Sequence, residues 1–110
     1  MKSSEQMSFH EATVTHFCSY CDTVELNLDG VDVGGEKRSV AIRISEVFRL
    51  EIDGKALESA FMPAEDGEIL ILEILENGIF VIIEWNDFSN KKSFTNAYRI
   101  SGEGISVSII

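Results

Sequence analysis

The sequence predicts an all-β fold, and three observations lead to that prediction. Short segments of alternating or continuous apolar residues recur along the chain, Gly and Asp or Asn residues separate them, and only one segment has helical spacing. The chain has 110 residues, 45% of them apolar, which suits one domain with a substantial core. We therefore expect a mainly antiparallel meander of seven or eight strands, closed into a barrel or folded into a sandwich, with one short helix.

The first half of the chain contains four predicted strand segments. They are, in order, residues 12–17, 24–29, 39–45 and 48–52. Residues 1–8 are expected to form a flexible N-terminus before them. The glycine-rich stretch 30–36 is expected to end the second strand in a wide turn, and Asp53-Gly54 is a strong turn pair.

One segment has the spacing of a helix. Leu57, Ala60 and Phe61 are three and four residues apart, and Pro63 would end a helix at the preceding residue. The sequence therefore predicts a short helix over residues 55–62, with an irregular crossover loop as the alternative.

The second half of the chain contains the clearest hairpin. Residues 68–75 and 79–85 are β-rich and flank Asn77-Gly78, which favours a type I′ turn because both central residues need positive φ. Both faces of this hairpin are largely apolar, so we expect it to be central and covered on both sides. A strand over 94–101, a turn at 102–104 and a last strand over 105–110 follow.

The charge distribution restricts the kind of partner. The chain has 19 acidic and 9 basic side chains, a formal net charge of −10, and no Lys or Arg in residues 3–36 or 56–90. Nucleic acid and anionic membranes need basic residues, so neither is expected as a partner. Such long acidic stretches predict an acidic surface that attracts a basic protein, although a surface charged for solubility is the alternative.

The sequence also indicates a compartment. The start of the chain has no apolar core of a signal peptide, and no apolar run approaches the length of a membrane span. Two cysteines cannot build a disulfide-rich secreted scaffold. We expect a cytoplasmic protein without a cofactor.

A candidate metal site comes from cysteine and histidine spacing. His16, Cys18 and Cys21 supply three zinc ligands in a short stretch, and His10 could be the fourth. A redox role for the C-x-x-C pair and ordinary turn cysteines are the alternatives.

Two carboxylates and one loop are further candidates. With Asn77-Gly78 as the turn, Glu73 and Glu84 become diagonal neighbours, a pair that could perform acid/base chemistry, mark a partly solvated face or form ion pairs. Asp87 and the exposed Phe88 lie in a predicted loop and are candidate binding residues. No catalytic motif supports an enzyme class.

The opening phrase Phe9-His10-Glu11-Ala12-Thr13-Val14 resembles the start of small uncharacterised bacterial β-domain proteins, which begin with a Phe-His-Asp-Ala-type phrase. The stretches Asp66-Gly67-Glu68 and 83–87 fit the same resemblance. It implies a β fold and no particular activity. In size and charge the chain is also similar to immunity proteins, which neutralise toxins by binding them.

Three functional hypotheses follow from these patterns. The first is a non-enzymatic acidic protein that binds a basic protein, as an immunity-type inhibitor does. The second is a small metal-dependent or carboxylate-dependent enzyme. The third is a structural subunit of a homo-oligomer, in which the apolar strand ending at Ile109-Ile110 pairs with a copy of itself across an open sheet edge.

Overall fold

A computed structural model describes residues 7–110, most of which lie in eight β-strands. The strands are β1 (Met7–Ser8), β2 (Thr13–Tyr20), β3 (Thr23–Val33), β4 (Glu36–Ile52), β5 (Lys55–Ala56), β6 (Asp66–Leu75), β7 (Gly78–Asp87) and β8 (Lys92–Ile109). All pairings are antiparallel. The all-β prediction is therefore confirmed.

Six of the strands close into a barrel. The sheet order is β1-β3-β2-β6-β7-β8-β4-β5, and the additional β3–β4 pairing completes a ring of β2, β3, β4, β8, β7 and β6. Two three-stranded meanders, β2–β3–β4 and β6–β7–β8, are joined by the β4–β8 and β2–β6 pairings. The β2–β6 junction is short, with Thr13 opposite Glu68 and Val14 opposite Gly67. The sequence pattern allowed either a barrel or a sandwich, and the structure is a barrel.

Two hairpin turns have the backbone conformation that a two-residue connection needs. Asp53-Gly54, the predicted turn pair, joins β4 to β5 with φ values of 52° and 83°. Gly34-Gly35 joins β3 to β4 with φ values of 60° and 93°. Positive φ at both positions is what a type I′ turn requires. The expected wide turn over 30–36 is wrong, because β3 continues past Gly30 through a register shift.

The turn of the β6–β7 hairpin differs from the predicted one. Leu75 pairs with Gly78, so Glu76 and Asn77 form the turn and the prediction of Asn77-Gly78 is wrong. The positive φ values that a type I′ turn needs do not occur at Asn77 or Gly78. Gly78 instead serves a close approach, since a Cβ there would collide with the carbonyl oxygen of Ile100 on β8.

β4 spans the predicted segments 39–45 and 48–52, whose alternation has one period, and β8 continues through the turn expected at 102–104; the two strands bend together there. They have 17 and 18 residues. The predicted turn at 102–104 is wrong, because β8 pairs with β4 on both sides of it. A Cβ at Gly102 would lie 2.8 Å from Cγ2 of Ile44 and would also collide with the carbonyl oxygen of Ser45. Beside it, β4 has Glu46 at a φ of 51° and a register shift after Val47.

The short helix predicted over residues 55–62 is wrong: residues 7–110 contain no helix. Lys55 and Ala56 form β5, which leaves too few residues before Pro63 for a stable helix. Backbone donors of the segment bond to neighbouring strands instead: Leu57 N donates to the Leu50 carbonyl, and Ala60 N donates to Ser19 Oγ at 2.8 Å. The alternative, an irregular crossover, is what the structure shows.

Buried apolar side chains from all six barrel strands, together with Ala12 and Ala60, form the core. They are Ala12, Val14, Phe17, Val24, Leu26, Leu28, Val31, Val40, Ile42, Ile44, Ala60, Ile69, Ile79, Val81, Ile83, Trp85, Tyr98 and Ile100. Alternate residues of each strand therefore point inward, as a half-buried strand requires.

The outer face of the β6–β7 hairpin is not covered. On the outer face Ile71 is 48% exposed, and Phe80 and Ile82 are half-buried. The guanidinium of Arg99 lies 5.5 Å from the Phe80 ring centroid and shields part of this face. The expectation of cover on both sides is wrong, because the outer surface of a closed barrel faces solvent.

The N-terminal segment crosses from β3 to β6. Met7 and Ser8, which the sequence analysis assigns to a flexible N-terminus, form β1 against Val33 and Asp32. Residues 1–6 of that predicted segment lie outside the described residues.

Within 7–110 there is no helix long and apolar enough to cross a membrane.

Three aromatic rings occupy the centre of the barrel. Trp85 Nε1 donates a hydrogen bond to Tyr98 Oη at 3.0 Å, and the Phe17 ring packs edge-on to Tyr98 at 5.0 Å between centroids. Trp85 packs over Gly67, where a Cβ would lie 2.5 Å from the indole. Burial raises the pKa of the Tyr98 hydroxyl, although the bond from Trp85 opposes this shift.

We predict that Tyr98→Phe lowers the free energy of unfolding by about 1–3 kcal/mol, because the buried Trp85 N–H loses its acceptor. Urea denaturation followed by tryptophan fluorescence measures this. Tyr20→Phe is the control, since Tyr20 is 46% exposed and its neighbour Arg43 is also exposed, so water can satisfy the group left behind. Equal stability of the two variants would contradict the prediction.

Candidate functional site

The first acidic stretch of the sequence is balanced by basic residues on the neighbouring strand. β3 pairs with β4, which places Asp32 opposite Lys37 and Glu25 opposite Arg43. The Arg43 guanidinium donates to Glu25 Oε2 at 2.8 Å, and this hydrogen bond raises the pKa of Arg43. The negative charge of residues 7–36 is therefore partly neutralised on this side of the barrel.

In the second acidic stretch Asp87 has Lys92 opposite it on β8, but two glutamates have no basic residue opposite them. Glu68 on β6 lies directly opposite Glu84 on β7, with Thr13 and Thr95 as their outer neighbours in the row. Both glutamates are half-buried. Directly opposed residues have Cβ atoms only about 5 Å apart, so this pair is mutually repulsive.

Four further acids lie near this pair, on β6 and β7 or on segments bonded to them. We call the set the acidic wall; it consists of Glu11, Glu65, Asp66, Glu68, Glu84 and Asp87. Asp66 occupies the next outer row, where Oδ2 accepts a bond from Asn86 Nδ2 at 2.8 Å. Among residues 7–110, no lysine or arginine nitrogen lies within salt-bridge distance of these six carboxylates.

Two carboxylates of the acidic wall hold the loop between β7 and β8. Glu65 Oε1 accepts bonds from the backbone N–H groups of Phe88 and Ser89, at 2.8 and 3.3 Å. Asp87 accepts bonds from the side-chain and backbone nitrogens of Asn90, and these bonds lower the pKa of Asp87. The loop is thereby fixed with the Phe88 ring 64% exposed beside the acids.

The predicted Glu73–Glu84 pair does not form. Glu73 lies opposite Phe80, and Glu84 lies opposite Glu68, so about 13 Å of strand separates the two glutamates. The cause is the different turn together with the register shift between Ile69 and Ile71. Glu73 is exposed. Glu73 and Glu84 are therefore too far apart to act as the acid/base pair that the carboxylate-dependent enzyme hypothesis needs.

The predicted zinc ligands are only partly brought together. Cys18 Sγ lies 3.0 Å from His16 Nε2, on the outer face of β2, and Cys21 lies in the turn between β2 and β3. His10 lies beside β6 instead, where its Nδ1 atom is 2.9 Å from the carbonyl oxygen of Leu70. In the described part of the chain, no three His, Cys, Asp or Glu side chains are grouped so that they could hold a metal ion.

The thiol and imidazole do not form a nucleophilic triad either. A triad acid holds the imidazole nitrogen that faces away from the nucleophile. Here Glu25 Oε1 approaches His16 Nε2, at 3.8 Å, which is the same nitrogen that contacts Cys18. Among residues 7–110, the imidazole of His16 therefore has no carboxylate on the nitrogen that faces away from Cys18.

A shallow groove of about 250 Å³ is a feature that the sequence did not predict. It lies between the β2–β3 turn, the β4 bend and the irregular crossover, and Asp22, Phe48, Arg49, Leu57 and Glu58 are among its lining residues. Its walls come from three separate segments and include Cys21 of the C-x-x-C pair and strand residues of β3 and β4.

Part of the acidic wall was predictable from the sequence. Glu84, Asp87 and Phe88 were predicted binding residues and lie at the same end of the β6–β7 hairpin. Glu73 was also predicted, but it lies further along the hairpin. The sequence analysis missed Glu65 and Glu68 as members of a site. The signal was present in the stretch 56–90 without basic residues, but only the strand register shows which acids meet.

Fold and surface together define an all-β, six-stranded barrel protein with an acidic wall at its short closing junction. No family model, no curated protein and no solved structure matches this chain. The resemblance to small bacterial β-domain proteins stays a prediction.

We predict that Glu84→Gln raises the free energy of unfolding by about 0.2–1 kcal/mol, because it removes a repulsion between directly opposed carboxylates. Thermal or urea unfolding at low ionic strength measures this gain, which should shrink in about 1 M salt. The control is Glu73→Gln, since Glu73 lies opposite Phe80 and not opposite an acid. A Glu84→Gln variant no more stable than the control would refute the repulsion.

We predict that Asp87 titrates below the ordinary range of aspartates, because Asn90 donates two bonds to its ionised form. The stabilisation is present above the unfolded-state pKa and is lost as pH falls through the lower folded-state pKa. A carboxyl-carbon NMR titration measures the pKa. Asn90→Ala should raise it, whereas Ser89→Ala, which keeps its backbone donor, should not; identical titrations in all three proteins would contradict this.

Proposed function

We propose that this protein is a non-enzymatic binding protein whose acidic wall engages a basic protein partner, as an immunity-type inhibitor does. The observation that carries the proposal is the uncompensated Glu68–Glu84 pair. Opposed like charges reduce the stability of a sheet. A surface that keeps such a pair gains when a cationic partner neutralises it.

The surroundings of the pair support this proposal. Glu25 of the first acidic stretch is paired with Arg43, whereas Glu68 and Glu84 have only each other and two threonines as cross-strand neighbours. A concentrated field of one sign attracts an oppositely charged protein at long range and raises the association rate.

Phe88 offers the partner an apolar contact beside the acids. Its ring is 64% exposed, and Glu65 fixes its backbone nitrogen at 2.8 Å. Exposed aromatic side chains that are already held in place lose little entropy on binding and frequently act as anchors. We expect the acids to steer the partner and Phe88 to contribute to the lifetime of the complex.

Affinity purification at low salt with the immobilised protein, followed by mass spectrometry, identifies the partner. The purified partner is then tested by stopped-flow binding against Glu68→Gln/Glu84→Gln. We expect the association rate to fall several-fold at low salt and the difference to vanish at high salt, because screening removes steering.

Two controls separate the acidic wall from net charge and from contact. Glu36→Gln/Glu103→Gln removes the same two charges elsewhere and should leave the association rate within about two-fold, because those charges lie outside the steering surface. Phe88→Ala should raise the dissociation rate and leave association nearly unchanged. If both glutamine pairs slow association equally, the acidic wall is not the binding surface.

A further inference from the structure

The second half of β8 is a free sheet edge. β8 pairs with β7 up to Ser101, whereas its pairing with β4 continues to Ile109. The last backbone bond to the β6–β7 hairpin runs from Gly102 N to the Asn77 carbonyl. Beyond it, no strand within residues 7–110 pairs with β8 on the side away from β4. Residues 103–109 therefore present unpaired backbone groups.

The burial of side chains shows the same edge. Val40, Ile42 and Ile44 of β4 are fully buried. Their direct partners on β8 share the same inward face but are only partly covered, and Ile109 is 38% exposed. The difference arises because β4 has a strand on both sides there and β8 has a strand on one.

The sequence of this edge is the same in both directions. Residues 105–109 read Ile-Ser-Val-Ser-Ile. In an antiparallel pair of two copies centred on Val107, Ile105 would face Ile109 of the partner subunit, and Ser106 would face Ser108 of the partner subunit. All apolar side chains would then lie on the face that continues the core, and all serines on the solvent face.

This edge also lacks the features that normally prevent pairing. Natural edge strands carry lysine, proline or inward-pointing charges, or are very short. Residues 104–110 contain no charged residue and no proline. Two further edges are unpaired on one side among the described residues, 71–75 of β6 and 16–20 of β2. The β6 edge carries Glu73, so two copies of it would repel each other. The β2 edge is bordered by the crossover, where Ala60 N bonds to Ser19 Oγ, and its sequence is not the same in both directions.

We propose that two copies of this chain associate through antiparallel pairing of residues 105–109 of β8, which joins the two barrels into one continuous sheet. The contact is short, so the dimer is weak and reversible. The paired segment is neutral while each chain carries a net charge of −10. Salt therefore strengthens this association, whereas it weakens the binding of a basic partner.

The test uses charges at the two solvent-facing serines. In the proposed register, Ser106→Glu/Ser108→Glu brings acids face to face twice, and Ser106→Glu/Ser108→Lys brings opposite charges together twice. Glutamate suits position 106 because Arg43 lies opposite on β4. Lys37→Gln/Lys55→Gln controls for net charge, since it equals the first variant in charge but leaves the edge unchanged.

Sedimentation equilibrium from about 10 µM to about 1 mM measures self-association, a range that covers weak contacts. We expect a dimer in the unsubstituted protein, a dissociation constant raised roughly ten-fold in the Glu/Glu variant beyond that of the charge control, and recovery in the Glu/Lys variant. Circular dichroism establishes that each variant is folded.

Amide hydrogen exchange locates the contact. Residues within 105–109 that face the open side should gain protection as the protein concentration rises, whereas amides of the β6 edge should not. A monomer throughout the concentration range overturns the proposal. A dimer that is equally strong in the Glu/Glu and Glu/Lys variants, or one that protects other residues, overturns it as well.

Discussion

The bend that β4 and β8 share is the constraint on which the rest of the structure depends. It requires a residue without a side chain at Gly102, where a Cβ would collide with the Ser45 carbonyl, and a left-handed backbone at Glu46. Because both strands continue through the bend, β8 pairs with β7 before it and with β4 alone after it. Barrel closure and the free edge of β8 therefore have the same cause.

The same topology distributes the charge. β3 lies beside β4, which carries most of the basic residues of the first half, so its acids find partners such as Arg43. β6 and β7 lie between β2 and β8, which offer few cations near Glu68 and Glu84. The proposed binding surface therefore coincides with the repulsive Glu68–Glu84 pair at the short β2–β6 junction, and Glu65 holds the backbone of Phe88 beside it.

Local patterns predicted the strands well because the alternation of apolar and polar residues has the same period as the pleat. Predictions based on turn and helix residues were less successful. Asp53-Gly54 forms its turn, but Gly78 and Gly102 are needed for contacts with distant strands, which no local pattern reveals. The segment before Pro63 has helical spacing, yet its backbone N–H groups donate to Ser19 Oγ and to the Leu50 carbonyl oxygen instead of forming a helix.

Composition and alternation therefore establish an all-β chain with a large excess of acid, since both properties are local or additive. Which acids meet is a matter of register, and a change of turn together with one bulge moved Glu84 from Ile71 to Glu68. The carboxylate hypothesis fails for the same reason, whereas the zinc ligands are dispersed because His10 contacts the Leu70 carbonyl while His16 and Cys18 lie on β2. The palindrome at 105–109 can be seen in the sequence. Whether it can pair with a second copy depends on the tertiary structure, because the strand order of the described residues leaves this part of β8 with β4 as its one neighbour.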